Sequence, residues 1–380
     1  MLINSKQKYA FFMKRPMLIS IFFCSGFVCG LLSCNSNEDS LQNRKIALGK
    51  RIFQDTTLSE PVGQSCATCH TITKGFADRE SRMVSEGAVR GLYSQRNAMT
   101  VCYSAYVPPL SFDNDEGTYV GGLFWDGRSV SLQSQAGEPF LNPVEMGNPD
   151  TCFVVEKICH APYYAELIKI YGKTSNKDSL YTYITDALAA YQQSDEVNPF
   201  SSKYDAWEDG KYTFTDSECR GMELFKDKAM CAECHILDKD ERAGRVLFTD
   251  HTYDNLGIPR NPENPHLRIP ADYFLLTPDS VDLGLGSVVG REEENGKFRV
   301  PTLRNIALTA PYGHNGYFKT LEEIVHFYNV RDVGNEFPPA EYPATINRDE
   351  LGNLGLTSEE EADLIAFMKT LTDDFKPVQK

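Results

Sequence analysis

Basic residues are in short supply in this 380-residue chain: 38 Lys and Arg stand against 53 Asp and Glu, for a formal net charge of −15. That balance excludes nucleic acid as a partner, because phosphate recognition demands Lys/Arg clusters. It suits attraction of a basic protein, with plain solubility as the alternative. Long apolar runs are missing too, since Met17 to Leu32 falls short of the roughly 20 residues a spanning helix needs. Strand-like alternation is scarce, which predicts a mainly helical fold. Histidine is sparse, with seven in all and none between His70 and His160.

The first 33 residues carry Lys6, Lys8, Lys14 and Arg15 and no acid, so their removal takes the net charge from −15 to −19. A basic start before an apolar run reads as an export signal over residues 1–34. Leu31-Leu32-Ser33-Cys34 reads as a lipobox with Cys34 as the lipidated residue, against an ordinary cleavable signal or a short anchor. The polar residues 35–44 suit a tether. These features predict an exported bacterial protein, held in the periplasm by lipid on a membrane.

Cys66-Ala67-Thr68-Cys69-His70 returns as Cys231-Ala232-Glu233-Cys234-His235. Two thiols flanking two residues and followed at once by His form the attachment signature of haem c. The thiols bond the vinyl groups and the imidazole binds the iron. A zinc knuckle needs further ligands nearby, and a redox dithiol is not normally followed by His. The chain is therefore expected to carry two covalent haems, on Cys66, Cys69 and His70 and on Cys231, Cys234 and His235.

Gly49-Lys50-Arg51-Ile52-Phe53 before the first motif is echoed by Gly221-Met222-Glu223-Leu224-Phe225 before the second. Each predicts a helix with one apolar face. The repeat divides the chain into a haem domain over 45–213 and another over 214–380, with a boundary in the Pro-, Gly- and Ser-rich stretch 198–215. Further helices are expected at 153–171, 178–193, 320–328 and 357–371, and an ordered loop from Asp250 to Gly296.

Beyond the haem motifs stand Phe124-Trp125-Asp126-Gly127-Arg128, Asn142-Pro143-Val144-Glu145-Met146, Val300-Pro301-Thr302-Leu303-Arg304-Asn305 and Thr309-Ala310-Pro311-Tyr312-Gly313-His314-Asn315-Gly316. With these, residues 44–375 resemble the bacterial di-haem cytochrome c peroxidases and their relative, the methylamine-utilisation di-haem enzyme. The resemblance implies two cytochrome c-like domains packed around a haem–haem interface. It also implies reduction of hydrogen peroxide at the first haem, with electrons entering at the second from a small c-type cytochrome or similar donor. Homodimers are common in the family.

Peroxide reduction needs an open iron face and a group that moves a proton between the two oxygens. Glu145 is the candidate proton mover, a carboxyl near haem and apolar walls whose pKa should be raised; the resemblance gives it the same role. Gln135 and Pro139 match distal-pocket positions, and Gln135 either binds peroxide or packs. Trp125 matches an indole between the haems, where it either carries oxidising equivalents or packs. Asn97, Thr309 and Pro311 match a calcium site whose oxygen donors suit that ion.

The chain departs from the peroxidase pattern twice. Typical members cap the first iron with a His in the loop after the first motif, but Ser85-Glu86-Gly87-Ala88-Val89-Arg90-Gly91 has none, and His160 reads as a surface residue. The first haem is thus expected to be five-coordinate or water-bound and to need no reductive activation. At the distal Met position of the second haem stands Tyr328, as in the methylamine-utilisation enzyme. His326, its rival, points about 200° round the helix. Tyr328 and the missing His favour the family's other activity, peroxide-dependent oxidation of a partner protein's side chains. Against that, the methylamine-utilisation enzyme has a Trp two residues before the second motif, where this chain has Ala229. A plain electron carrier is disfavoured by Glu145. Cys102, Cys152, Cys159 and Cys219 allow two disulfides, although Cys152 and Cys159 on one straight helix would lie about 10 Å apart, out of bonding reach.

Overall fold

The structure, a computed structural model, describes residues 35–273 and 280–376. Residues 1–34, read above as an export signal ending at Cys34, lie outside the described residues. The helices are α1 (Asn35–Phe53), α2 (Cys66–Cys69), α3 (Leu132–Leu141), α4 (Thr151–His160), α5 (Tyr164–Tyr171), α6 (Lys177–Gln192), α7 (Lys203–Glu208), α8 (Asp216–Lys226), α9 (Leu285–Val289), α10 (Leu321–Val330) and α11 (Ser358–Lys369). Strand is confined to two short antiparallel pairs. Ser111–Asp113 (β1) pairs with Thr118–Val120 (β2), and Tyr253–Asp254 (β3) with Phe298–Arg299 (β4), placing Tyr253 opposite Arg299. No described helix is long and apolar enough to cross a membrane.

The repeated Gly-x-x-x-Phe segment builds the same packing twice. A Cβ on Gly49 of α1 would collide with the Ala187 carbonyl of α6, and one on Gly221 of α8 with the Asp363 carbonyl of α11. Only glycine allows the two backbones to approach so closely. One turn on from each glycine, Phe53 meets Tyr191 edge-on with ring centroids 5.3 Å apart, and Phe225 meets Phe367 at 5.2 Å. Each contact partner lies four residues beyond the carbonyl that its glycine approaches.

Buried apolar residues gather into two large clusters. One draws on residues 48–197 with Leu247, the other on residues 204–371. The expected helix 153–171 is two helices, because Pro162 cannot continue α4. Ala161 before it turns extended, at φ −71° and ψ 147°. Helix starts are set by side-chain caps: Asn176 accepts from Ser179 N, Thr215 from Glu218 N and Thr357 from Glu360 N. The stretch 198–215 is ordered and partly buried, since it contains α7. There Asp205 accepts two 2.9 Å hydrogen bonds from the buried guanidinium of Arg304. Among the described residues no thiol forms a disulfide, and Cys152 and Cys159 share α4.

Candidate active site

The first haem motif forms α2 and ends on His70, whose Nδ1 lies 3.0 Å from the Phe76 carbonyl. That contact orients the ring and leaves Nε2 available to a metal. Burial holds the imidazole below its usual pKa and therefore neutral, as a ligand must be. Burial likewise pushes the Cys66 and Cys69 thiols up to about 12. The Gln64 amide, outside the motif and not marked by any local pattern, donates to the Cys69 sulfur at 3.4 Å and to the Glu86 carbonyl at 3.2 Å.

Glu145 stands over this motif, near enough for its charge to raise both thiols. It sits in a turn that closes directly on the end of α3: Glu145 N donates to Asn142 O at 3.0 Å and Met146 N to Pro139 O at 3.1 Å. Asn142 Nδ2 donates to Glu145 Oε1 at 2.9 Å. Burial pushes the carboxyl up to about 7, with Glu138 adding to the rise and Arg128 and Asn142 opposing it. Gln135 is half-buried on α3, one turn before Pro139, and among the described residues no hydrogen bond fixes its amide.

The loop that lacks histidine packs against this turn. Ala88 N donates to Glu145 O at 2.6 Å, and a Cβ on Gly87 would collide with the Val144 carbonyl. His160 lies exposed on α4 with Nδ1 on its own helix, 2.8 Å from Glu156 O.

The second motif lines a cavity of about 160 Å³ together with Trp125, Tyr328, Asn97, Thr309 and Pro311. His235 Nδ1 lies 2.9 Å from Phe248 O, repeating the first site, and burial lowers this imidazole to about 4. Burial pushes Cys231 up to about 12 and also raises Cys234. On α10 the two candidates separate cleanly. Tyr328 borders the cavity, whereas His326 is 2.9 Å from Glu361 and 3.1 Å from Glu336. Burial and the two thiols hold the Tyr328 hydroxyl far above the usual phenol range. A phenolate there requires a cation such as ferric iron in front of it.

Trp125 Nε1 donates to Asn97 O at 2.9 Å. Asn97 spends its own amide nitrogen on Met83 O at 3.1 Å, which leaves Oδ1 as an acceptor. Asn97, Thr309 and Pro311 all line this cavity and carry oxygen donors of the kind a hard cation takes. His314 borders the same cavity, stacked on Phe298 at 3.7 Å, with Nε2 3.9 Å from Glu341 and neither ring nitrogen hydrogen-bonded among the described residues.

Two half-buried thiol pairs, each followed by a neutral histidine with one nitrogen fixed and the other available, fit two haem c groups and define a di-haem redox protein. Residues 43–213 match the family described as di-haem cytochrome c peroxidase. Methylamine utilization protein MauG of Paracoccus denitrificans (strain Pd 1222) is 36% identical over 348 residues, covering 86% of this chain and 88% of that one. Cytochrome-c peroxidase IdrP1 of Denitromonas iodatirespirans is 31% identical, covering 86% and 81%. The crystal structure of the diheme peroxidase BthA from Burkholderia thailandensis E264 superposes with a TM-score of 0.77 at 33% identity, over 87% of this chain and 86% of that one. The chain belongs to the di-haem cytochrome c peroxidase family, MauG homologues included.

Proposed function

We propose that the protein reduces hydrogen peroxide to water at the site of His70, with electrons entering through the site of His235. The donor is a small c-type cytochrome or a similar periplasmic protein, and lipid on Cys34 holds the enzyme at a membrane. Residues 45–213 form the peroxidatic half and 214–380 the electron-entry half. Haem c, held by the two thiol pairs, supplies redox-active iron. The observation that carries this reading is the Glu145 carboxyl, raised to about 7 and oriented by Asn142 beside the first motif. A carboxylate so poised takes a proton from one peroxide oxygen and returns it to the other as that oxygen leaves. Overall, one peroxide consumes two electrons and two protons and yields two waters. Because no histidine reaches over the first site from residues 85–91, this chain needs no ligand release before peroxide binds.

The assay is peroxide-dependent oxidation of reduced small c-type cytochrome, with two cytochromes expected per peroxide. Tyr328 at the second site supports a second reading, oxidation of a partner protein's side chains. A cytochrome yield far below two, with peroxide still consumed, favours that reading.

Two further outcomes follow from the second site. Tyr328→Phe removes an oxygen ligand, so the second haem's ferric absorption and EPR spectra change while the first haem's stay fixed; an unaltered second-haem spectrum means that Tyr328 only packs. Removing calcium with a chelator is expected to perturb the Asn97–Thr309–Pro311 wall and slow peroxide turnover. Restoration by added calcium, measured against magnesium, tests the assignment.

A further inference from the structure

Arg299 and His251 are two buried polar side chains to which the site so far gives no anion. Arg299, in β4, is 6% exposed and borders the cavity of His235 and Tyr328. Its Nε donates to Phe124 O at 3.3 Å, and a terminal nitrogen approaches the Met99 sulfur at 3.8 Å. Among the described residues no carboxylate pairs with it. The other buried arginines of this region differ: Arg96 is held by Asp126 and Asp282, and Arg304 by Asp205. A buried guanidinium with only a carbonyl and a thioether for company lacks its counter-charge.

His251 stands two residues before Tyr253, the residue paired with Arg299 across the β3–β4 ladder. It is 7% exposed, and both ring nitrogens lack a partner. Its backbone is left-handed at φ 62°, a strained state for a residue with a Cβ that persists only where the surroundings impose it. Thr249 Oγ1 accepts from its main-chain nitrogen at 2.9 Å, and its carbonyl accepts from Gly121 N at 2.9 Å. Burial, then Arg299, holds the imidazole neutral, with a pKa of about 3. A neutral imidazole still offers one N–H donor.

We propose that Arg299 forms a carboxylate-binding subsite that takes a propionate of the haem held by His235, with His251 close behind it and outside the cavity lining. The guanidinium fork matches a carboxylate in shape and charge. A haem entering this cavity brings two such groups. The subsite also reaches Trp125, because Arg299 N donates to Trp125 O at 2.8 Å while the indole N–H is committed to Asn97 O. Arg299 therefore acts as a positioning residue that ties the carboxylate edge of the second haem to the peptide carrying Trp125.

This inference rests on the two-haem assignment, so the experiment begins with haem content of the mature protein. Fewer than two haems per wild-type chain overturns that assignment itself. With both haems present, resonance Raman spectra and redox titrations compare wild type with Arg299→Met, Arg299→Lys and His251→Leu. Arg299→Met is expected to shift the propionate bending band and to move the second haem's midpoint potential downward, since loss of a cation favours the ferric state. Arg299→Lys should keep the potential close to wild type yet still shift the band, because it loses the fork. His251→Leu, outside the cavity lining, should leave the potential unmoved. An Arg299→Met protein with both haems, an unmoved band and an unmoved potential overturns the subsite. If that variant does not fold, an unmoved band in Arg299→Lys overturns it equally.

Discussion

Glu145→Gln is expected to lower kcat/KM for peroxide by a factor of about 10²–10⁴, the usual contribution of a positioned general acid–base group. Glutamine keeps the shape and still meets Asn142, but it cannot take a proton, so haem content and fold should be unchanged. The wild-type pH profile follows from the same carboxyl. Its pKa is raised to about 7, chiefly by burial. Below that pH the group is increasingly protonated and cannot accept a proton from peroxide, so the rate falls as the solution is acidified. In Glu145→Gln this limb should vanish. Stopped-flow rates from pH 5 to 8 check both statements, and a variant with wild-type rates removes Glu145 from the mechanism.

Arg304→Leu is expected to destabilise the protein by roughly 3–5 kcal/mol, the cost of leaving one partner of a buried ion pair uncompensated. The Arg304 side chain is fully buried. It donates twice to Asp205 and once, from Nε at 2.7 Å, to Val246 O. Its guanidinium carbon also lies 4.6 Å from the ring centre of Phe200 and 5.0 Å from that of Tyr103. One side chain thus joins α7 to three other segments. Arg304 with Ser202 holds the Asp205 carboxyl below its ordinary 3.8 despite burial. The stability it contributes is present above about pH 4 and is lost as acid protonates Asp205. Denaturant unfolding at pH 7 and pH 3 should therefore show a gap between wild type and variant that narrows in acid; equal midpoints at pH 7 contradict the account.

What the sequence made legible was the chemistry with fixed local spacing. Both haem motifs, the Glu145 turn and the separation of Tyr328 from His326 by about 200° of helix are short-range patterns; in the structure Tyr328 borders the cavity of the second motif while His326 faces Glu336 and Glu361. The break at Ala161-Pro162 was also readable, since proline ends helices, yet the apolar period ran through it. Helix α3 is not legible in the sequence because Gly137 and Pro139 look like breakers; Pro139 falls in its last turn, where it forfeits one ladder hydrogen bond and the helix ends two residues later. The role of Gly49 and Gly221 depends on which helix each meets, and that is not local. The unpaired charge of Arg299 is of the same kind: in sequence it stands among ordinary residues, and only the folded chain shows that no carboxylate among the described residues reaches it.

The most direct test of the account is stopped-flow mixing of the fully ferric, haem-loaded protein with peroxide and reduced small c-type cytochrome, without prior reduction of the enzyme. Rapid cytochrome oxidation from the first turnover is the predicted result, because residues 85–91 carry no histidine to cap the first iron. A reaction that starts only after the second haem has been reduced, together with a purely low-spin first haem at rest, would contradict it.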